Sequence, residues 1–93
     1  ETDRVRCRRV WKMITPRQQD ALRVLAKGLS RQEAADCLCI AITTLDSHKT
    51  EILRACRMAW DTKMKLDIYF LHQKFGPFLA SIGEIDHENQ PKL

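Results

Sequence analysis

The chain has 93 residues, of which 44% are hydrophobic and 30% charged, and its formal net charge is +4. This length suits one small domain with a modest core, and the composition is that of a globular rather than a disordered protein. No run of about 18 apolar residues is present to span a bilayer, and the basic amino terminus lacks the apolar run of a signal peptide. Both features favour a cytoplasmic location.

Positive charge is concentrated at the start of the chain. Residues 1–31 contain nine basic residues against three acidic ones, so the remainder carries a small negative excess. Arg4, Arg6, Arg8 and Arg9 fall within the first few residues. We therefore predict a basic arm over residues 1–13 that lies on the phosphate backbone of DNA or enters its minor groove, with a solvated linker as the alternative.

The first predicted helix begins after Thr15. Threonine is a typical N-cap, Pro16 suits the first helical position, and Gln18 completes a capping box. Gly28 is typical of the residue that ends a helix, so we place the end at about residue 27. Between these limits apolar residues recur at three- and four-residue spacing: Ala21, Leu22, Leu25 and Ala26.

A second and a third helix follow at short intervals. Ser30 and Glu33 form another capping box, which opens a helix of about two turns. A turn over residues 39–42 leads to a third helix over about residues 43–56, whose outer side is polar. Two short helices joined by a tight turn form a helix-turn-helix. The predicted inner residues of these two helices are Ala34, Ala35, Leu38, Leu45, His48, Ile52 and Cys56.

The stretch from Ile14 to Met58 resembles the LuxR/NarL-type (GerE-like) helix-turn-helix domain of bacterial transcription regulators. The resemblance implies an all-α fold, a small bundle of about four helices, and sequence-specific DNA binding with the helix at about residues 43–56 in the major groove. It covers about half of the chain. The residues that carry it are Ile14-Thr15-Pro16-Arg17, Ala26-Lys27-Gly28-Leu29-Ser30, Glu33-Ala34-Ala35, Leu38, Ile40, Thr44-Leu45, His48 and Ile52-Leu53-Arg54.

The same resemblance carries the base-reading positions onto Asp46, Ser47 and Thr50, where the family more often has basic residues. A carboxylate can read cytosine by accepting from its amino group, and hydroxyls can serve several bases. A second interpretation makes Thr43 the N-cap and Asp46 either its capping-box partner or an acid that the helix dipole favours. The predicted DNA-binding residues are Arg31, Gln32, Thr43, Thr44, Asp46, Ser47, Lys49, Thr50 and Arg54, together with Arg6, Arg8 and Arg9 of the arm.

The four cysteines have three competing interpretations. Their spacing does not match the usual zinc sites, so we expect no metal and no cofactor. Cys37 and Cys56 fall on or near apolar faces, where a reduced thiol packs as a small hydrophobe. Cys7 lies among arginines in the predicted exposed arm, where positive charge would lower its pKa and suit it to a redox-responsive intermolecular disulfide.

A fourth helix is predicted beyond Met58. Asp61 or Thr62 would cap it, and the Gly76-Pro77 pair would stop it after about residue 74. Its apolar residues form two opposed stripes, Met64, Ile68, Leu71 and Phe75 on one side and Leu66, Tyr69 and Phe70 on the other.

One stripe can cover the core, and the other needs a partner. We predict a homodimer whose interface contains Leu66, Tyr69 and Phe70, which the resemblance also implies. In the alternative arrangement Phe78, Leu79 and Ile82 fold back over the stripe. The predicted organisation is a basic arm or linker over residues 1–13, the helix-turn-helix domain with its fourth helix over residues 14–75, and a short apolar turn and frayed polar tail over residues 76–93.

Two classes of function fit this sequence. The first is a DNA-binding transcription regulator of the bacterial cytoplasm, acting as a homodimer on double-stranded DNA with an inverted-repeat operator. The second is a protein-interaction module that has lost base reading, which Asp46 and the apolar fourth helix favour; a small redox-responsive regulator using Cys7 is a further alternative. No catalytic motif surrounds His48, so we expect no enzyme, and neither a membrane nor a small-molecule substrate is implied.

Overall fold

The computed structural model describes residues 2–85, which form five α-helices without any strand. This part of the chain confirms the predicted all-α fold and its helix-turn-helix. None of the helices in it is long and apolar enough to cross a membrane. In chain order they are α1 (Asp3–Met13), α2 (Pro16–Ala26), α3 (Arg31–Leu38), α4 (Ile42–Ala59) and α5 (Ile68–Ser81).

Both predicted capping boxes are present. The Thr15 hydroxyl accepts from the Gln18 N–H at 3.2 Å, and the Gln18 side chain accepts from the Thr15 N–H at 3.0 Å. Ser30 and Glu33 make the same exchange at the start of α3, with distances of 3.1 and 2.9 Å. Gly28 has φ +93° between the two helices, a conformation that glycine adopts without steric cost. These signals fix the two helices where the sequence predicts them.

A single hydrophobic core joins all five helices. Helices α2, α3 and α4 pack on one another, α5 packs most extensively on α2, and α1 packs on α4 and α5. No polar or charged residue is buried among residues 2–85. The largest fully buried side chains are Val10, Leu22, Leu25, Leu45, Ile52, Leu71, Phe75 and Leu79.

The structure corrects the prediction for the amino-terminal segment. Residues 3–13 form α1 instead of an exposed arm, so the bundle has five helices rather than about four. The Thr2 hydroxyl accepts from the Val5 N–H at 3.3 Å, and the acidic Asp3 in the first turn favours a helix start. Cys7 and Val10 are buried, with Ile14 just beyond the helix, because they recur at helical spacing on one side. The segment is basic, as predicted, but it contributes to the core.

Polar contacts tie the start of α1 to the carboxyl end of α4 and to α5. The Trp60 indole N–H donates to one Asp3 carboxylate oxygen at 3.1 Å, and the Lys74 ammonium donates to the other at 2.7 Å. These two hydrogen bonds lower the pKa of Asp3 below its usual value. Arg4 donates to the Ser81 hydroxyl at 2.8 Å and lies 5.8 Å from the centre of the Phe78 ring.

Helix α5 starts later than predicted. Asp61 has a left-handed φ of 51° after α4 ends, and the Thr62 hydroxyl accepts from the Met64 N–H at 3.1 Å in a local turn. The N-cap is Asp67, whose carboxylate accepts from the Phe70 N–H at 3.1 Å. Asp61 and Thr62, the two predicted caps, therefore lie in the turn between α4 and α5.

Helix α5 also continues through Gly76 and Pro77, which were predicted to stop it. A proline normally excludes the helical conformation at the preceding residue, partly through a clash with that residue's Cβ, and Gly76 has no Cβ. A Cβ there would also lie 3.3 Å from the Ala26 carbonyl oxygen of α2. The glycine therefore serves both the helix and its close packing on α2, and burial of Phe78 and Leu79 stabilises the extension.

A hydrogen bond from His72 reinforces this packing. Its Nδ1 lies 2.7 Å from the Ala26 carbonyl oxygen at the end of α2. Because a carbonyl only accepts, the proton of this bond is on Nδ1. The bond satisfies one of the carbonyls that a helix leaves unpaired at its end.

The second apolar stripe is largely covered within the chain. Phe70 meets the Trp60 ring edge-on with 5.1 Å between ring centres, and Leu66 is half-buried against the core. Tyr69 remains 66% exposed. Phe78 and Leu79 are buried because α5 continues, and they do not fold back as a separate turn. The predicted polar tail lies, from residue 86 onward, outside the described residues.

Candidate nucleic-acid interface

The turn between α3 and α4 contains residues 39–41. Cys39 is left-handed with φ 57°, and the Ile40 N–H donates to the Ala35 carbonyl at 3.0 Å. The N-cap of α4 is Ala41, which makes no side-chain capping bond. Thr43 is therefore inside the helix, and the interpretation that made it the N-cap, with Asp46 in a capping box, is wrong. Packing of Ile40 and Ile42 against the core fixes the start of α4 instead.

Helix α4 has an inner and an outer side. Leu45, Ile52 and Cys56 are buried, and His48 is half-buried at the edge of this side. Thr43, Thr44, Ser47 and Thr50 are exposed on the rest of the helix. The helix runs from Ile42 to Ala59 and is thus longer than the predicted 43–56.

The two hydroxyls at the predicted base-reading positions bond to their own helix. The Ser47 hydroxyl donates to the Thr43 carbonyl at 3.2 Å, and the Thr50 hydroxyl donates to the Asp46 carbonyl at 2.9 Å. A hydroxyl that has donated its proton keeps its oxygen lone pairs as acceptors. In this arrangement both residues present acceptors at the surface.

Asp46 forms a bidentate ion pair with Arg31. The Arg31 Nε and Nη2 atoms donate to the two carboxylate oxygens at 2.8 and 2.6 Å. The pair joins the first residue of α3 to the outer side of α4. It lowers the pKa of Asp46 and raises that of Arg31, in both cases chiefly through the hydrogen bonds between them. Lys49 lies 4.0 Å from the same carboxylate.

The other polar residues of the predicted site also have partners on their own helix. The Arg54 guanidinium lies 3.0 Å from the Glu51 carboxylate, and the Gln32 amide donates to Asp36 at 2.9 Å. Arg31, Lys49 and Arg54 are thus each close to an acidic side chain. The helix-turn-helix places the predicted residues on neighbouring surfaces of α3 and α4, with their charge locally balanced.

The three predicted arm residues lie on a different element. Arg6, Arg8 and Arg9 belong to α1, where Arg6 is half-buried and lies 3.6 Å from Asp3. Arg8 and Arg9 are exposed. Their position on a packed helix gives them a fixed location beside α4 and α5, which an extended arm would not have.

The structure reverses the predicted environments of two cysteines. Cys7 is buried, its thiol donates to the Lys74 carbonyl at 3.4 Å, and burial raises its pKa to about 12. Cys37 was predicted on an apolar face but is exposed, as is Cys39. Cys56 is buried as predicted, and burial raises its pKa to about 12 as well. The redox interpretation based on an exposed Cys7 is therefore wrong. No three residues of metal-ligating type group together among residues 2–85.

The sequence contains no local signal for the Arg31–Asp46 pair. The two residues lie on different helices, so their contact depends on how the turn orients α4 against α3. The apolar residues around Cys7 and Val10, by contrast, recur at helical spacing, and this pattern in the sequence predicts α1.

Comparison with known proteins gives one family match. The model of the GerE family, described as bacterial regulatory proteins of the luxR family, matches residues 12–60. This range is slightly more than half of the 93 residues and contains α2, α3 and α4. Neither the curated proteins nor the solved structures gave a match. The match confirms the resemblance seen in the sequence.

Proposed function

This chain belongs to the luxR family of bacterial regulatory proteins, and on that premise we propose that it regulates transcription by binding specific DNA sequences. The observation that carries the proposal is the helix-turn-helix of α3 and α4 with an exposed polar side on α4. That geometry suits binding in the major groove rather than catalysis. Its place of action would be the bacterial cytoplasm, at the nucleoid.

Helix α4 enters the major groove with Asp46, Ser47 and Thr50 nearest the base edges. The Ser47 and Thr50 hydroxyls present acceptors at the surface, and the Asp46 carboxylate is an acceptor that Arg31 holds in the structure. In the major groove, acceptors match the amino groups of cytosine and adenine. The site therefore favours base edges that carry an amino group at the positions these residues meet.

The start of α3 and the flanks of α4 contact phosphates. Arg31 and Gln32 stand at the amino end of α3, where the helix dipole and the first N–H groups favour an anion. Thr43 and Thr44 offer exposed hydroxyls, and Lys49 is a further cation of the same surface. These contacts orient the protein on the duplex without reading its sequence. Arg54, further along α4, belongs to the same set.

The basic outward side of α1 adds a contact with the phosphate backbone that does not depend on sequence. Its support is the number of cations in this helix, including Arg6, Arg8 and Arg9. Such contacts contribute affinity that falls steeply with salt.

The active unit is a homodimer joined at the start of α5. Tyr69 is 66% exposed and Met64 is 72% exposed, and Leu66 and Phe70, close to them in the sequence, are half-buried. Because Trp60 covers part of Phe70, the apolar area left for a partner is small and the dimer weak. A two-fold pair would place the two α4 helices about 34 Å apart on an inverted-repeat operator.

Binding to duplex DNA at two salt concentrations tests the main proposal. We expect fluorescence anisotropy to show tighter binding to a duplex selected from a random library than to a mixed-sequence duplex. Affinity for both should fall with salt. A chain that binds neither duplex at low salt would contradict the proposal and favour the protein-interaction module, for which the balanced charge of α3 and α4 is the supporting observation.

Sedimentation tests the dimer separately. The change Tyr69→Glu should reduce self-association, because it places a charge in the proposed contact, while the circular dichroism spectrum stays the same. Val5→Glu is a matched control, since Val5 is also an exposed apolar residue but lies on α1. A wild-type chain that remains monomeric both at high micromolar concentration and on selected DNA would contradict the dimer.

A further inference from the structure

The ion pair between Arg31 and Asp46 occupies the groups that would bind DNA. We propose that Asp46 competes with DNA phosphates for Arg31, and that this competition suppresses binding to unrelated sequences. The inference rests on the proposed function, because it requires that α3 and α4 face DNA.

The geometry of the pair supports direct competition. Arg31 uses Nε and Nη2, one edge of its planar fork, to hold the two oxygens of Asp46 at 2.8 and 2.6 Å. Arginine binds a phosphate through the same kind of bidentate contact. The Arg31 Nε and Nη2 groups that bind Asp46 therefore cannot bind a phosphate until the ion pair breaks.

The exposure of the pair allows it to open. The Arg31 and Asp46 side chains are 46% and 34% exposed. Ion pairs accessible to water contribute little to stability and are screened by salt. A phosphate can therefore displace the carboxylate, whereas it could not displace a partner buried in the core.

Opening the pair has different consequences on different DNA sequences. The freed carboxylate lies on the outer side of α4, which faces the bases in the proposed complex. A cytosine amino group can donate to it, but guanine N7 and O6 and thymine O4 are acceptors that repel it. On an unrelated sequence, the freed Asp46 carboxylate has no hydrogen-bond donor, which makes binding less favourable. A sequence with an amino group at this position supplies the donor. The unpaired carboxylate thus discriminates against unrelated sequences.

A purely structural role for the pair predicts the opposite outcome. If Asp46 only braced α3 against α4, its loss would loosen the helix-turn-helix and weaken binding to every duplex. Competition predicts instead that its loss strengthens binding to unrelated DNA. The sign of the change separates the two roles.

The decisive variant is Asp46→Asn in the full chain, which keeps the shape of the side chain and removes its charge. Binding to a mixed-sequence duplex is measured by fluorescence anisotropy across a range of salt. The released Arg31 should add one phosphate contact and steepen the slope of log affinity against log salt by about 0.9. Between about 50 and 200 mM salt, the variant should therefore lose roughly 3.5-fold more affinity than the wild type. At the lower salt it should bind this duplex more tightly than the wild type does.

Two further variants assign the effect to Arg31. Asp20→Asn is the matched control, because it also removes one acid from an ion pair at the surface, with Arg23 at 2.5 Å, but on α2 and with a cation outside the proposed DNA contacts. It should change the salt slope less than Asp46→Asn does. In an Arg31→Gln background, Asp46→Asn should produce no steepening.

Several outcomes would overturn the inference. They are an unchanged salt slope in Asp46→Asn, weaker binding of Asp46→Asn to the mixed-sequence duplex while its circular dichroism is unchanged, or equal effects of Asp46→Asn and Asp20→Asn. Failure of the wild type and of Asp46→Asn to bind any duplex at low salt would instead contradict the proposed function. A second variant, Asp46→Ala, repeats the measurement without the amide group.

Discussion

Helix α1 and the helix-turn-helix differ in how they carry charge. The 11 residues of α1 include five cations and one acid. Helices α3 and α4 together include four cations and four acids, and Arg31, Lys49 and Arg54 each lie beside one of those acids. The element expected to read DNA is therefore close to neutral, and the positive excess is on a helix outside it.

This difference suggests a division of roles. Electrostatic attraction to phosphates supplies affinity without sequence preference, whereas hydrogen bonds to base edges supply specificity. Helices α3 and α4, whose charges together balance, give little to the first and depend on the second. On this division, α1 provides packing and general affinity while α4 provides specificity.

The largest expected effect is a difference in thiol reactivity between the turn of the helix-turn-helix and the core that α1 shares with α4. Cys37 and Cys39, beside the turn of the helix-turn-helix, are exposed, whereas Cys7 of α1 and Cys56 of α4 are buried. Burial raises the pKa of Cys7 and of Cys56 to about 12, so both thiols stay protonated at neutral pH. We expect a disulfide reagent to label Cys37 and Cys39 about a thousandfold faster than the buried pair, whose reaction requires local opening.

Mass spectrometry of the labelled peptides identifies the sites. All four thiols should react at similar rates in denaturant, which is the control. Rapid labelling of Cys7 in the folded chain would show that α1 does not pack as described. It would support the exposed arm that the sequence predicted.

A bulky residue at Thr50 should abolish specific binding. In the change Thr50→Trp, the indole would hold α4 out of the groove, and we expect the affinity for a selected duplex to fall by about a hundredfold or more. The change Met58→Trp is the control, because Met58 is also exposed on α4 but lies near its carboxyl end. If Thr50→Trp binds as tightly as the wild type and has an unchanged circular dichroism spectrum, α4 does not enter the groove.

Truncation of Val10 should destabilise the whole domain. Val10 is fully buried in α1, so the change Val10→Ala should lower the free energy of unfolding by about 2 kcal/mol. Val5→Ala makes the same change at an exposed position of the same helix and should have little effect. Denaturant unfolding compares the two variants, and an equal, small effect of both would mean that α1 contributes nothing to the core.

The error over α1 has a physical cause. Cys7, Val10 and Trp11 already have helical spacing ahead of Ile14, so the apolar side was readable. Four arginines among the first nine residues indicated a solvated arm instead. The helix forms because only one side of it is apolar, and burial of that side against α4 and α5 leaves the cations outside. Basic composition therefore did not exclude a packed helix.

Helix α2 and the start of α3 were predictable because their signals are local. Capping boxes at Thr15 and Ser30 and a glycine at Gly28 lie within a few residues of the structures they fix. Helix α5 was less predictable, because its continuation through Pro77 depends on contacts between Gly76 and α2. The Arg31–Asp46 pair depends on the packing of two helices and could not be read from spacing.

Removal of the α1 arginines should weaken all DNA binding alike. In the triple change of Arg6, Arg8 and Arg9 to alanine, we expect about tenfold weaker binding to selected and mixed-sequence duplexes. The salt slope should become shallower by about 0.9 for each phosphate that the variant no longer binds. The matched control changes three exposed cations elsewhere, Lys27, Lys63 and Lys65, to alanine. Equal slopes in the two variants would show that only net charge matters.

The smallest expected effect concerns pH and the anchoring of α1. Hydrogen bonds from Lys74 and then from Trp60 lower the pKa of Asp3, so folding favours its ionised form. The resulting stabilisation is present above the unfolded pKa of about 3.9 and is lost as the pH falls through the lower pKa of the folded chain. It is small because the Asp3 side chain is 48% exposed and the contacts are screened by solvent.

The change Asp3→Asn isolates this contribution, because asparagine keeps an acceptor for the Trp60 indole and loses the charge. The wild type should be slightly more stable than Asp3→Asn at neutral pH, and the difference should shrink and vanish as the pH falls below the unfolded pKa of about 3.9. Denaturant unfolding followed by tryptophan fluorescence measures it, and added salt should reduce it. A difference that grew on acidification would mean that Asp3 is not stabilised as a carboxylate, and that α1 is held by its apolar side alone.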